Sequence, residues 1–225
     1  MLTQHTKIKQ LNVFSKKSSS NNDLLLVESE QHILIENKLY NIHATPQFAE
    51  FLIQGIVYRQ LNSLSKLDIN YSENNHYKVS TNSESFKLDR LDINDLKVQP
   101  HQLIDWVRQF KDDQVLYRQT GATESVGVIL SDLSLLTIEC VTFESALTKL
   151  LGALIKKDIA FYPILLISHR ITMGQLPLIN VFKPEILICQ SAITANAVHA
   201  LTKSRVTVYG FCRKHKFNRY SNFHL

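Results

Sequence analysis

The sequence predicts an α/β protein in which a small α+β unit precedes a larger half built on parallel strands. Three observations carry this. The runs Ile164-Leu165-Leu166-Ile167 and Ile186-Leu187-Ile188 are apolar without alternation, as expected of strands covered on both faces. They alternate with helical patterns of roughly ten to fifteen residues, which implies parallel strands joined by right-handed crossovers. Finally, 225 residues at 44% hydrophobic content suffice for a real core.

Residues 1–23 carry Lys7, Lys9, Lys16 and Lys17 and the run Ser18-Ser19-Ser20-Asn21-Asn22, too little apolar surface to offset the entropy of ordering. A flexible basic arm is expected there, followed by an α+β unit over residues 24–118 and an α/β unit over residues 119–225. Leu24-Leu25-Leu26-Val27, Ile33-Leu34-Ile35 and Leu39-Tyr40-Asn41-Ile42 read as short strands, the last two joined by a turn at Asn37-Lys38. Thr45-Pro46 reads as a helix start, with Thr45 as cap, and Phe48, Leu52, Gly55, Ile56 and Arg59 recur at helical spacing to about Gln60. A polar strand pair around Tyr71 and Tyr77 turns at Glu73-Asn74-Asn75.

Pro100 starts the next helix, striped by Leu103, Val107 and Phe110 and expected to end before Thr120-Gly121. A hairpin follows, from Val126-Gly127-Val128-Ile129-Leu130 to the run 133–141. Thr142 then caps a helix with a broad apolar face from Phe143 to Leu154. After the first buried strand a helix is expected between about Thr172 and Val181, weakened by Pro177. The second strand leads to a helix from Ser191 through Leu201, and Val206-Thr207-Val208 forms the third.

In such sheets ligands sit beyond the carboxyl ends of the strands. Those ends carry Ser168-His169-Arg170, Gln190-Ser191 and the closing stretch from Gly210 to Tyr220, where Arg213, Lys214, Lys216 and Arg219 interleave with Phe217 and Tyr220. Cations beside aromatics suit a planar, phosphate-bearing ligand. Ser168 and Arg170 can donate to phosphate, as can Ser191 with a helix N-terminus behind it. In the alternative reading Arg170 is paired, Ser191 is only a cap and the closing stretch is a solvated basic tail.

The formal charge of +5 favours anionic partners and is concentrated in the first seventeen and last fifteen residues. Three widely spaced cysteines, Cys140, Cys189 and Cys212, argue against a disulfide framework and for a reducing, cytoplasmic setting. Neither a secretory segment nor a membrane-length apolar run is present. Zinc-type His/Cys spacing, a phosphate-cradling Gly-rich loop and a Gly-x-Ser-x-Gly elbow are all missing from a chain with six glycines, and no bound metal is expected.

Beyond composition, the chain resembles the FdhD/NarQ formate dehydrogenase accessory family from about Leu24 to Tyr220. The resemblance rests on Ala44-Thr45-Pro46 followed by Phe48, Glu50, Phe51 and Gly55, on Thr81-Asn82-Ser83, and on Tyr117-Arg118-Gln119-Thr120-Gly121. It continues through Glu139, Val141, Ala146, Lys149, Leu151 and Gly152, then Ser168 and Arg170, Ser191-Ala192, Gly210-Phe211, Arg213, Phe217-Asn218 and Tyr220. It implies a cytidine-deaminase-like three-layer sandwich with a mixed sheet and an added N-terminal subdomain. It also implies a cytoplasmic homodimer that moves sulfur from a cysteine desulfurase to the molybdenum bis(molybdopterin guanine dinucleotide) cofactor, activating formate dehydrogenase. On that resemblance the cofactor, or a GDP-like ligand, falls on Phe211, Cys212, Arg213, Lys214, His215 and Lys216, with Thr120, Gly121, Ser168 and Arg170 as neighbours; nucleic acid and membrane are not expected partners.

The departures are as specific. Where the family has its persulfide-bearing Cys-x-x-Cys this chain has Ser85-Phe86-Lys87-Leu88. The family's Thr-Gly-Gly-x-His is Thr120-Gly121-Ala122-Thr123-Glu124, its Glu-Asp-Val-Gly-Arg-His-Asn is Glu139-Cys140-Val141-Thr142-Phe143-Glu144-Ser145, and its Ser-Gly-Arg is Ser168-His169-Arg170. Persulfide transfer needs an accessible thiolate. Cys212, beside Arg213 and Lys214, has the best electrostatic case for one, whereas Cys140 and Cys189 end apolar runs as small hydrophobes. Two functions stand: an accessory protein that transfers sulfur through a substitute cysteine, and a silent member that binds cofactor or partner. General nucleotide or RNA binding through the basic ends is a third.

Overall fold

The computed structural model describes residues 2–12, 17–61, 67–72, 74–81, 88–96, 98–213 and 216–224. Ser85, Phe86 and Lys87 of the stretch expected in place of the Cys-x-x-Cys lie outside them, as do Lys214 and His215.

The architecture is mixed α/β. Strands β1 (Thr3–Asn12) and β2 (Lys17–Leu26) pair antiparallel from Thr3↔Leu26 to Asn12↔Lys17. A ladder thus runs through most of the segment expected to be a flexible arm. The expectation weighed side-chain burial alone, but a hairpin pairs its backbone groups internally whatever its side chains bury; Val27 adds an N–H to the Leu2 carbonyl, and β2 lies against a helix from the second half of the chain.

Strands β3 (Ser29–Ile35), β4 (Lys38–Ala44), β5 (Leu67–Ser72) and β6 (His76–Thr81) form a second sheet in the order β4-β3-β6-β5. Glu36, Asn74 and Asn75 take positive φ at its turns. Helix α1 (Ala49–Leu61) starts later than Thr45-Pro46 suggested. Thr45 does not cap it: Thr45 is buried, its carbonyl and hydroxyl accept from Lys149 Nζ, and Phe48 turns the chain into the helix at φ 56°.

The main sheet holds β7 (Glu124–Leu130), β8 (Leu135–Cys140), β9 (Phe161–Ile167), β10 (Ile186–Cys189), β11 (Thr207–Arg213) and β12 (Lys216–Ser221) in the order β12-β11-β10-β9-β7-β8. The strands β9, β10 and β11 are parallel, as their unalternating apolar runs predict; β7 and β12 run antiparallel to their neighbours. The closing basic stretch is therefore no tail but a hairpin, with β12 at the sheet edge.

Helix α2 (Pro100–Asp112) covers one face of this sheet with Leu103, Trp106, Val107 and Phe110 packed near Ile129, Ile164, Leu166, Ile186 and Ile188. The other face belongs to a single apolar core in which α1 and α4 (Phe143–Lys156) meet the second sheet and the main sheet together. That core, from Ile33 to Val208, runs continuously across the boundary expected near residue 118. Thr142 caps α4 as predicted, its hydroxyl accepting from Ser145 N at 3.1 Å. Removing that acceptor in Thr142→Ala is expected to lower stability by about 1 kcal/mol in urea denaturation, with α4 otherwise intact.

Three helices differ from expectation. The helix after Pro100 stops at Asp112 and restarts as α3 (Val115–Thr120), because Gln114 leaves helical geometry at ψ 62° and Glu139 accepts from the N–H groups of Leu116 and Tyr117. The helix expected over 172–181 is a 3-10 turn (Met173–Gln175), the short α5 (Leu176–Ile179) and a second 3-10 turn (Asn180–Phe182), with Pro177 in the first turn of α5, where its missing N–H costs nothing. Helix α6 (Ala195–Lys203) begins after Ser191, so no helix N-terminus stands behind that serine. The chain between them is spent on Ile171: Ile171 N donates to Ala192 O and Thr194 N to Ile171 O, both at 3.0 Å. No helix among the described residues is long and apolar enough to cross a membrane.

Candidate functional site

A cleft of about 1170 Å³ opens at the carboxyl ends of β9, β10 and β11. Parallel pairing brings together the segments that follow these strands, and antiparallel β7 returns its first residue, Glu124, to the same rim. The far wall is the second half of α2. Its apolar stripe faces the sheet, which leaves Arg108 and Lys111, three residues apart, on the cleft side.

Of the residues expected to bind ligand, the cleft gathers Ser168, Arg170, Cys212 and Arg213, together with Ser191. Thr120, Gly121, Phe211 and Lys216 do not line it. Thr120 and Gly121 finish α3 instead: the Thr120 hydroxyl donates to Leu116 O at 2.8 Å, and Gly121 caps the helix at φ 66°. Phe211 is exposed in a bulge of β11 at φ 51°, and Lys216 is exposed on β12.

Sequence reasoning missed Arg108, Lys111, Gln114 and Glu124, and it placed His169 and Gln190 at the strand ends without giving them a role; all six line the cleft. The i, i+3 pair on the polar face of α2 was a signal for the first two. Gln114 is buried and donates from Nε2 to Gln190 Oε1 at 2.9 Å, closing the floor between α2 and β10.

Charge in the cleft is predominantly positive, with Arg108, Lys111, Arg170 and Arg213 facing Asp112 and Glu124. Arg108 is shared with Asp105 at 3.3 Å, but among the described residues no ion pair takes up Lys111, Arg170 or Arg213. The reading that pairs Arg170 with an acid therefore loses ground. Ser168 is not the free phosphate donor expected of it: its Oγ donates to Glu124 Oε2 at 3.0 Å and accepts from Ser125 N at 2.8 Å.

Three departures from the family pattern meet here. Glu124 Oε1 lies 2.8 Å from His169 Nδ1, and the His169 ring stacks on Phe143 with centroids 5.2 Å apart and planes 19° from parallel. Each substitution alone looks like decay; side by side they form one contact set.

The thiols are buried. Cys212 reaches the cleft wall but is only 1% exposed, and burial, helped by nearby Cys189, pushes its thiol up to about 12. That reverses the expectation that Arg213 and Lys214 favour a Cys212 thiolate: desolvation outweighs the neighbouring charge. Burial also pushes Cys189 to about 12, its Sγ donating to His169 O at 3.2 Å. Cys140 is equally buried and takes the Thr45 N–H on its sulfur at 3.4 Å. Among the described residues no cluster of three or more His, Cys, Asp or Glu is arranged to hold a metal ion.

Comparison with known proteins agrees with this architecture. Over 117 residues the chain is 27% identical to the sulfur carrier protein FdhD of Shewanella oneidensis, a match covering 52% of this chain and 42% of that protein, so the likeness spans less than half the relative's length. A crystal structure from Desulfotalea psychrophila, described as a formate dehydrogenase accessory protein, superposes with a TM-score of 0.79 over 99% of this chain and 98% of the other. At 13% identity that match speaks for the fold alone. The FdhD/NarQ family model matches residues 36–224, from the second sheet to the end of the edge strand, and the chain belongs to that family.

Proposed function

We propose that this protein acts in formate dehydrogenase maturation by binding the guanine nucleotide portion of the molybdenum bis(molybdopterin guanine dinucleotide) cofactor, without carrying sulfur on its own cysteines. The observation behind this reading is the cleft itself, in which Lys111, Arg170 and Arg213 are cations without ion-pair partners among the described residues. Its volume of about 1170 Å³ exceeds the usual few hundred to roughly 1000 Å³ of small-ligand pockets, so the residues present fit a large, anionic ligand. Arg170 and Arg213 would hold the pyrophosphate by charge-assisted bonds, and the Gln114–Gln190 amide pair lies within the same walls for a polar base edge. The cofactor's dithiolenes and metal would supply the redox chemistry of the client enzyme; this chain's part is to hold the nucleotide end.

Sulfur transfer is disfavoured by the thiols' surroundings. Cys189 and Cys212 are both pushed up to about 12 by burial, which leaves little thiolate to attack a persulfide donor at neutral pH. Homodimerisation and contact with a cysteine desulfurase and formate dehydrogenase remain part of the family-based reading.

The test is calorimetric titration with GDP-mannose, whose pyrophosphate diester mimics that of the cofactor. Arg213→Ala and Arg170→Ala are each expected to weaken binding by roughly tenfold or more, the worth of one charge-assisted hydrogen bond. In parallel, incubation with a cysteine desulfurase and cysteine should leave no protein-bound persulfide by mass spectrometry. Unaltered affinity in both arginine variants, or a stable persulfide on Cys212, would overturn the reading.

A further inference from the structure

Glu124 and His169 on the cleft rim, with buried Phe143 stacked on the His169 ring, form a cluster that the nucleotide-binding reading does not use. Register explains the meeting: Val126↔Ile167 in the β7/β9 pair brings the start of β7 opposite the residues that follow β9. A carboxylate only accepts, so the 2.8 Å contact to Glu124 Oε1 puts the hydrogen of neutral His169 on Nδ1 and leaves Nε2 as the bare nitrogen. Ser168 fixes the other carboxylate oxygen at 3.0 Å, and the stack on Phe143 fixes the ring plane. His169 and Glu124 side chains are 34% and 32% exposed and both line the cleft, and Nε2 has no partner among the described residues. A ring so held, about a third exposed and with one nitrogen unused, is poised to meet ligand.

We propose that His169 is a proton-linked anion-binding residue: on ligand binding it takes up one proton and, as imidazolium between the Glu124 carboxylate and the ligand's pyrophosphate, donates from Nε2 to a phosphate oxygen. The proposal rests on the nucleotide-binding reading and adds a partner and a pH dependence to it. The bare Nε2 of the neutral ring can only accept, so it offers nothing to a phosphate oxygen, whereas the protonated ring bridges two anions. The charges around the ring are mixed. The Glu124 carboxylate lies against Nδ1, and Arg170, next in sequence, stands with Arg108, Lys111 and Arg213 in the same cleft. Asp112, Tyr117 and the neutral Cys212 complete the titratable lining, and Cys189 is neutral and bonded to the His169 carbonyl. A bound pyrophosphate answers the four cations, so ligand and proton favour one another.

Calorimetry with GDP-mannose in two buffers of different ionisation enthalpy tests this, since the diester keeps its charge between pH 6 and 8 and proton exchange then belongs to the protein. Expected are uptake approaching one proton per ligand and affinity roughly tenfold tighter at pH 6 than at pH 8. His169→Gln keeps a polar contact to Glu124 and should bind with no proton uptake and a flat pH profile. Glu124→Gln, which removes the anion behind the ring, should flatten the profile partly; thermal melts check that both variants are folded. Binding without proton uptake, or uptake unchanged in His169→Gln, overturns the proposal and leaves nucleotide binding standing. No binding at any pH overturns both.

Discussion

Gly152→Ala is expected to lower the free energy of unfolding by about 3 kcal/mol, although alanine is the better helix former. Helices α1 and α4 cross with their backbones in contact, and a Cβ on Gly152 would stand 1.7 Å from the carbonyl oxygen of Phe51. The reciprocal position is as tight: a Cβ on Gly55 would stand 2.0 Å from the carbonyl oxygen of Thr148. These are backbone atoms, which no change of rotamer can move aside, so the helices must separate by more than about 1 Å and loosen the dispersion contacts between them. Alanine's gain in helix propensity is about 1 kcal/mol, too small to offset overpacking of one to three kcal/mol or more plus the loosened core. The same change at Gly174, where the nearest atom is Thr172 Oγ1 at 3.7 Å, is expected to fall within about 0.5 kcal/mol of neutral. Urea denaturation of the two variants decides the matter. Equal midpoints would mean that α1 and α4 do not approach this closely in solution.

That crossing joins the two halves of the chain, and only part of it was legible beforehand. Helical spacing located α1 and α4 and counted Gly55 in the stripe of the first, while Gly152 entered only as a point of family resemblance. That they face one another depends on a contact nearly a hundred positions apart, which periodicity does not encode. The parallel strands were readable for a similar local reason: Ile164-Leu165-Leu166-Ile167 and Ile186-Leu187-Ile188 advertise burial on both faces, and they form β9 and β10 in parallel register. The rule that ligands sit beyond the carboxyl ends then led to Ser168, Arg170 and Arg213, all on one cleft. What side chains do once there was less legible. Ser168 is spent on Glu124 and Ser125 N, and Cys212, which charge pattern made reactive, is deactivated by its burial. The Glu124–His169–Phe143 cluster stayed hidden because its members lie in three separate motifs, each of which reads by itself as a loss.

The second large effect is expected from Lys149→Met, at about 3 kcal/mol near neutral pH. Lys149 is 1% exposed, and its ammonium spends all three hydrogens on oxygens: buried Thr45 O at 2.8 Å and Oγ1 at 2.9 Å, and the part-buried Gln47 O at 2.7 Å. Methionine has similar length and fills the channel, so the change separates polar loss from loss of volume. Relief of the ammonium's desolvation works in the variant's favour. Against it, the two buried Thr45 acceptors are stranded, each at a cost of roughly 1 to 3 kcal/mol, and the turn from Thr45 to Phe48 loses its tie to α4. The pH dependence has a definite sign. Burial lowers the Lys149 pKa below its ordinary 10.5, while Cys140 and Glu50 pull the other way. In the window between that lowered value and 10.5 the unfolded chain binds more protons than the folded one, so this group's contribution rises with pH there. The cost of Lys149→Met should therefore grow from neutral pH into that alkaline window. Denaturation at several pH values and amide exchange over residues 45–48 measure both halves of the prediction. A variant as stable as wild type at every pH would mean that the charge is a burden the fold carries without return. If stability falls while GDP-mannose affinity holds, Lys149 serves the scaffold alone; if affinity falls too, the effect has passed along α4 to Phe143 and the ring of His169 stacked upon it.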